Sequence, residues 1–144
     1  MPEENPLKQF HWMLEMLQII DVGVLVLDKH FHVHAWNGFM ENHSGIDSQE
    51  IIGKNLFSQI EGLEEMWFRH KAATVFQLKS QAFTIWEQRP YLFKFANYRP
   101  ITSMAEFMYQ NSTFVPIKNP SGVVDQIAVL IYDVTDLAMN KIEE

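Results

Sequence analysis

Val123-Val-Asp-Gln-Ile-Ala-Val-Leu-Ile-Tyr132, followed by Asp133-Val134-Thr135-Asp136, decides how the chain is read. The first ten residues are mostly apolar and rich in β-branched side chains, with no Gly or Pro, which fits a strand in the middle of a sheet. The next four switch chemistry. Asp133 or Thr135 can accept hydrogen bonds from the first free N–H groups of a helix, and Asp136 carries the charge sign a helix N-terminus favours. A central strand therefore leaves the core and turns directly into a helix. That helix has about ten residues before the sequence stops, too few to stand alone. It is expected to be the start of a connector to a further unit.

Bulk composition narrows the function. The chain has 144 residues, 47% of them apolar, enough for one globular core. Its net charge of −7 argues against a nucleic-acid surface, which needs clustered Lys and Arg. No apolar run is long enough to span a membrane. The opening Met1-Pro2-Glu3-Glu4-Asn5 is acidic and unlike a secretory leader. Cysteine is absent, which excludes disulfides, thiolate zinc sites and thiol-linked chromophores. A cytoplasmic location is expected.

Along the chain, Pro6 to Ile20 reads as an amphipathic helix. Leu7, Phe10, Leu14 and Leu17 form a seam of period 3.5, suited to packing on its own domain, to a dimer, or to both. Val22 to Asp28 and Phe31 to Trp36 read as two strands around Lys29-His30. On the second, His30, His32 and His34 alternate with Phe31, Val33 and Ala35. Such a histidine row suits either a wet strand face or a metal. Asn37 to Asn42 starts a short helix with Phe39 and Met40 turned inward, ended by Ser44-Gly45. Asp47 and Glu50 have capping-box spacing, and Gly53 marks a turn needing positive φ. Leu63 to Ser80 is the longest expected helix. One stripe holds Leu63, Met66, Trp67, His70, Ala73 and Thr74; a second, nearly opposite, holds Phe68, Ala72, Val75 and Phe76, so two packing partners are expected. Aromatics crowd between Phe83 and Tyr98, beside Arg89-Pro90 and Arg99-Pro100. They suit either core packing or an aromatic wall with Arg89 or Arg99 anchoring an anionic small molecule. Glu106 to Ile117 reads as a long strand with a polar centre, Gln110-Asn111-Ser112-Thr113, some of which is expected to face a cavity. Lys118 to Gly122 is a reversal.

Gly23-Val24-Leu25-Val26-Leu27-Asp28, Val33, Trp36-Asn37, Gly45 and Ile52-Gly53-Lys54-Asn55-Leu56-Phe57, in that order, resemble the first half of a PAS domain. Tyr132-Asp133-Val134-Thr135 resembles the Asp-x-Thr that closes many PAS domains ahead of a signalling helix. The resemblance spans about Asp21 to Asp136. It implies an α+β PAS fold, a five-stranded antiparallel sheet with helices packed on one face around a small cavity, plus the N-terminal amphipathic helix. The expected division is 1–20 as N-terminal helix, 21–136 as PAS domain and 137–144 as the start of the signalling helix. The implied role is sensory, by ligand binding, homodimerisation or both. Candidate ligand-binding residues are Trp36, Phe39, Met40, Trp67, His70, Arg89, Tyr91, Arg99, Tyr109 and Asn111, and Asp133 and Thr135 are candidates for signal coupling. In haem-binding PAS proteins a histidine of the long helix ligates iron, and His70 is the matching position. The alternative is an ordinary hydrogen-bonded or surface histidine. No cofactor is required, with non-covalent haem or flavin as the alternative.

No nucleophile–base pair, metal cluster or phosphate loop is present, so the chain is expected to be a non-catalytic module. The stretch Trp86 to Tyr98, with Arg99 to Ser103 and Phe107 to Asn111, resembles PAS domains that precede GGDEF diguanylate cyclases. A histidine kinase is the next candidate for the output domain in the same polypeptide. A ligand-free dimerisation module is the third reading.

Overall fold

A computed structural model describes residues 6–97 and 105–143. In chain order the elements are α1 (Pro6–Ile19), β1 (Gly23–Asp28), β2 (Val33–Trp36), α2 (Gly38–Ser44), α3 (Ser48–Ile51), α4 (Leu56–Gln59), α5 (Glu65–Leu78), β3 (Ala82–Thr84), β4 (Gln110–Lys118), β5 (Val124–Asp133) and α6 (Thr135–Ile142). The strands form one antiparallel sheet in the order β2-β1-β5-β4-β3. β5 is central, as its apolar, Pro-free sequence requires. Its Ile127, Val129 and Ile131 are fully buried, and burying each side chain stabilises the fold by roughly 1.5–3 kcal/mol. They meet Leu25 and Leu27 of β1, Phe114 of β4, and Phe68, Ala72 and Val75 of α5 in one core. Gly23 pairs with Ile131 across β1 and β5, so α1 arrives and α6 departs at the same end of the sheet.

The β1–β2 turn follows from Asp28. Its Oδ1 accepts the N–H groups of His30 (2.8 Å) and His32 (3.0 Å), bracketing Phe31, which is buried at φ 64°. That left-handed conformation is unfavourable for a bulky residue. It is held by these bonds and by packing of the Phe31 ring on Phe57 and Phe68. The histidines His30, His32 and His34 are exposed while Phe31 and Val33 are buried, the expected alternation. Oδ2 of Asp28 meets His34 Nε2 at 2.8 Å and His32 Nδ1 at 3.6 Å. Partial burial opposes ionisation of Asp28, but the hydrogen bonds from His34, His32 and His30 outweigh it and hold its pKa below the usual value.

Several expectations need correction. Asp47 makes no side-chain cap bond to α3. The long strand expected from Glu106 begins only at Gln110. Upstream of it, Met108 N–H donates to Phe95 O and the N–H of Gln110 to Pro90 O, so residues 90–97 take the backbone partners that would have extended the ladder. β3 stops at Thr84 because Ile85 O accepts from the N–H groups of Gln88 and Arg89, closing a turn. α5 buries one stripe, Phe68, Ala72 and Val75. The other stripe divides: Leu63 and Trp67 are partly buried against the core, whereas Met66, at 87% exposure, His70 and Ala73 are exposed. α1 buries none of its residues.

Candidate functional site

The inner face of the sheet carries a polar corner where β3 meets β4. Gln110, Ser112 and Phe114 alternate inward along β4 and are buried. Asn111 and Thr113 alternate outward. Gln110 closes the 90–97 segment onto the sheet. Its Oε1 accepts the N–H groups of Leu92 (2.9 Å) and Phe93 (3.3 Å), and its Nε2 donates to Phe93 O at 2.8 Å. Thr84 stands opposite Ser112 in the β3–β4 register, and both side chains are buried. Their hydroxyls have no hydrogen-bond partner among the described residues. Gln110 and Ser112 belong to the polar centre legible in the sequence; Thr84 was missed, its one signal being a small polar residue at an inward position of an apolar strand.

A small cleft of about 50 Å³ is lined by Gly62, Leu63, Glu64, Trp67, Arg89, Tyr91 and Leu92. Arg89 is spoken for: its guanidinium meets Glu64 at 3.1 Å and lies 4.2 Å above the Trp67 ring. Both contacts oppose its use as an anchor for an anion. Tyr91 packs edge-on against Phe107.

The remaining candidates separate. Trp36, Phe39 and Met40 are core residues; Trp36 Nε1 donates to Ile46 O at 3.0 Å. Phe93 and Phe95 stack in the core, with Trp36 edge-on to Phe93, so part of the aromatic stretch is packing. Tyr109 packs on Trp86 and Phe107. Asn111 Oδ1 accepts the Trp86 N–H at 2.9 Å, which anchors the turn after β3. His70 sits on the solvent side of α5, away from the interior where a haem iron would have to lie. Arg99 and Tyr98 lie outside the described residues. No group of three His, Asp or Glu among the described residues could hold a metal.

The joint between β5 and α6 is built from Thr135, which is fully buried. Its Oγ1 donates to Asp133 Oδ1 at 2.6 Å and accepts the Tyr109 N–H at 3.1 Å. Asp133 Oδ1 also accepts the Thr135 N–H at 3.0 Å, the first N–H of α6. Val134 N–H donates to Tyr109 O at 2.9 Å. The end of β5, the start of α6 and the approach to β4 therefore share one hydrogen-bonded node.

A second joint holds α1, and Asn37 supplies it. Its Nδ2 donates to Leu17 O and Val22 O, both at 2.8 Å. Its Oδ1 accepts the Val24 N–H at 3.0 Å and, as N-cap of α2, the Met40 N–H at 3.3 Å. Gln18 Nε2 donates to Glu41 Oε1 at 3.0 Å, and Glu41 Oε2 accepts the Ser48 N–H at 2.8 Å. The Ser48 N–H first, then Gln18, lower the Glu41 pKa against a smaller effect of burial. A β-carbon on Gly38 would stand 2.3 Å from Gln18 O, so glycine there permits the contact. α1 is thus fixed at its C-terminal end. Phe10, Trp12, Met13, Leu14, Met16 and Ile19 remain between 47% and 71% exposed, and Leu14, Leu17 and Gln18 line a groove of about 270 Å³ with Val24, His34 and Ala35.

No protein-family profile and no curated protein sequence matches the chain. Solved structures do. A sensory box sensor histidine kinase from Vibrio cholerae is 23% identical, over 90% of this chain and 94% of that one, with a TM-score of 0.63. The PAS domain of histidine kinase ThkA is 22% identical, over 78% and 98%, with a TM-score of 0.56. A PAS domain from Colwellia psychrerythraea is 13% identical, over 92% and 99%, with a TM-score of 0.63. Among the described residues no helix is long and apolar enough to cross a membrane.

Proposed function

This chain has the PAS fold, and from that premise we propose that it is a non-catalytic sensory input module of a cytoplasmic signalling protein. It acts as a homodimer and controls an output domain carried C-terminal to α6. The observation that carries this reading is the Thr135 node. A helix that leaves a central strand through a buried hydroxyl bonded to two neighbouring segments is poised to respond to packing in the sheet. A ligand or partner that binds one arrangement better than another shifts their populations, with about 1.4 kcal/mol of differential affinity giving a tenfold change. The apolar flank of α1 supports dimerisation, because one helix with so many half-exposed large side chains gains from a covering surface.

Two outputs are in contention. The sequence around Trp86 to Asn111 resembles PAS domains ahead of GGDEF diguanylate cyclases, which make cyclic di-GMP. Two of the structural neighbours above are histidine kinases, which favours a kinase. The test uses the full-length protein, measuring cyclic di-GMP formation from GTP and autophosphorylation from ATP. It compares wild type with Thr135→Val and Asp133→Asn. Altered output from variants with native circular dichroism is expected; output unchanged in both variants would overturn the coupling role.

A further inference from the structure

We propose that Thr84 and Ser112 form the recognition pair for a small, neutral ligand that both donates and accepts hydrogen bonds. The inference rests on the sensory reading and gives its ligand a chemical class. Thr84 and Ser112 face each other across β3 and β4. They are 5% and 3% exposed, and neither hydroxyl has a partner among the described residues. Buried polar atoms in folded proteins are nearly always paired, so an unpaired one calls for a specific occupant. Here two stand together. Gln110, the next inward residue on β4, cannot serve them, because its amide is committed to Leu92 and Phe93. It holds the wall in place instead.

Charge sets the class. Among the described residues the buried polar ones are Asn37, Thr84, Gln110, Ser112 and Thr135, none of them charged. An ion entering this corner would lose its hydration and find no countercharge among the described residues. Arg89 does not supply one, since it is paired with Glu64 and seated on Trp67 at the rim. A hydroxyl both donates and accepts, so the pair suits an amide, an alcohol or a similar neutral group.

Acetamide and acetate separate the possibilities, being nearly identical in shape and different in charge. Each is titrated into the ¹⁵N-labelled chain and followed by NMR. Acetamide is expected to give saturable shifts at the Gln110 side-chain amide and the Leu92 and Ser112 backbone amides, and acetate is expected to give none there. In Thr84→Val/Ser112→Ala the acetamide response should fall at least tenfold in affinity with the spectrum otherwise native. Should the double variant fail to fold, Ser112→Ala alone carries the test. An equal response to acetate, a response that survives the substitutions, or a corner holding a water molecule that acetamide does not displace would each overturn the inference. Its failure is distinguishable from failure of the sensory reading. If acetamide does not bind but Thr135→Val changes output, the sensory reading stands without this ligand class. If acetamide binds and output ignores Thr135 and Asp133, the pair is a binding site outside any signalling role.

Discussion

Replacing Asn37 tests how α1 is held. The side chain is 4% exposed and uses its full hydrogen-bonding capacity, two donors and two acceptor sites. Asn37→Ala removes the N-cap bond and so strands the buried Met40 N–H, about 1–3 kcal/mol. It also strands the part-buried Val24 N–H, about 1 kcal/mol. The carbonyls of Leu17 and Val22 lose a donor as well. The expected loss is about 2–4 kcal/mol, a large share of the roughly 5–15 kcal/mol that holds a typical domain together, read as a lower urea midpoint. Asn37→Asp separates the two halves of this effect. A carboxylate still accepts from Val24 and Met40 and suits the N-terminus of α2. It also sets an anionic oxygen against the Leu17 and Val22 carbonyls at the 2.8 Å now spanned by hydrogen bonds. α1 should come off while α2 and the sheet stay. A detached helix of this length is marginal in water, so hydrogen exchange should accelerate across α1 and remain slow in β1 and β5. Unchanged α1 protection in Asn37→Asp, or a cost below about 1 kcal/mol for Asn37→Ala, would refute the anchoring argument.

Other outcomes follow from single contacts. Gly38→Ala should gain up to about 1 kcal/mol of helix propensity in α2, yet its β-carbon, 2.3 Å from Gln18 O, must displace α1; proteolysis between α1 and β1 should quicken without loss of thermal stability in the core. Gly23→Ala overpacks a site where a β-carbon would meet Met40 Sδ at 2.8 Å and Ile131 Cβ at 2.9 Å, and should cost about 1–3 kcal/mol by calorimetry. Thr135→Val keeps the shape of the side chain but leaves the Tyr109 N–H without its acceptor, a loss of about 1–3 kcal/mol with faster exchange in α6. Asp28 has a folded pKa below its unfolded value of about 3.9, so its contribution is present above that pH and lost as pH falls through the folded pKa. Asp28→Asn should therefore be less stable than wild type at pH 7, and the gap should close in acid-unfolding curves as the pH falls below about 4.

The sheet was legible because its periods are short and clean. Val24 to Asp28, His30 to Ala35 and Ile127 to Ile131 alternate or run apolar as their positions demand, and the resemblance placed them in order. The path of residues 85–97 was not legible. Its aromatics suit core packing or a ligand wall alike, whereas the backbone there is organised by one distant side chain, Gln110, and by Asn111 holding Trp86. Local pattern carries no sign of such partners. His70 takes the surface alternative for a related reason: two stripes on α5 look alike in sequence, and only packing decides that Phe68, Ala72 and Val75 meet the sheet. Asp133 and Thr135, at the joint between β5 and α6, were legible as helix-capping chemistry. Their partner, the Tyr109 backbone, was not. Asn37 was read as the start of a short helix; that its other face holds α1 depends on Gly38, whose lack of a side chain matters only once α1 is in place.

The pairing of Gly23 with Ile131 also decides how the domain would respond to tension. Neighbouring antiparallel strands whose outer connections leave from the same end open like a zipper. Pulling α1 and α6 apart would load the β1–β5 hydrogen bonds one after another, since these lie across the strands and along the direction of pull. Once the Asn37 joint of α1 and the Thr135 node of α6 had yielded, the Gly23–Ile131 pair would be the first of the ladder to give. Strands pulled from opposite ends would instead resist in shear, with all their bonds strained at once. This arrangement makes the domain a soft element between its flanking helices, suited to being opened and re-closed by small forces.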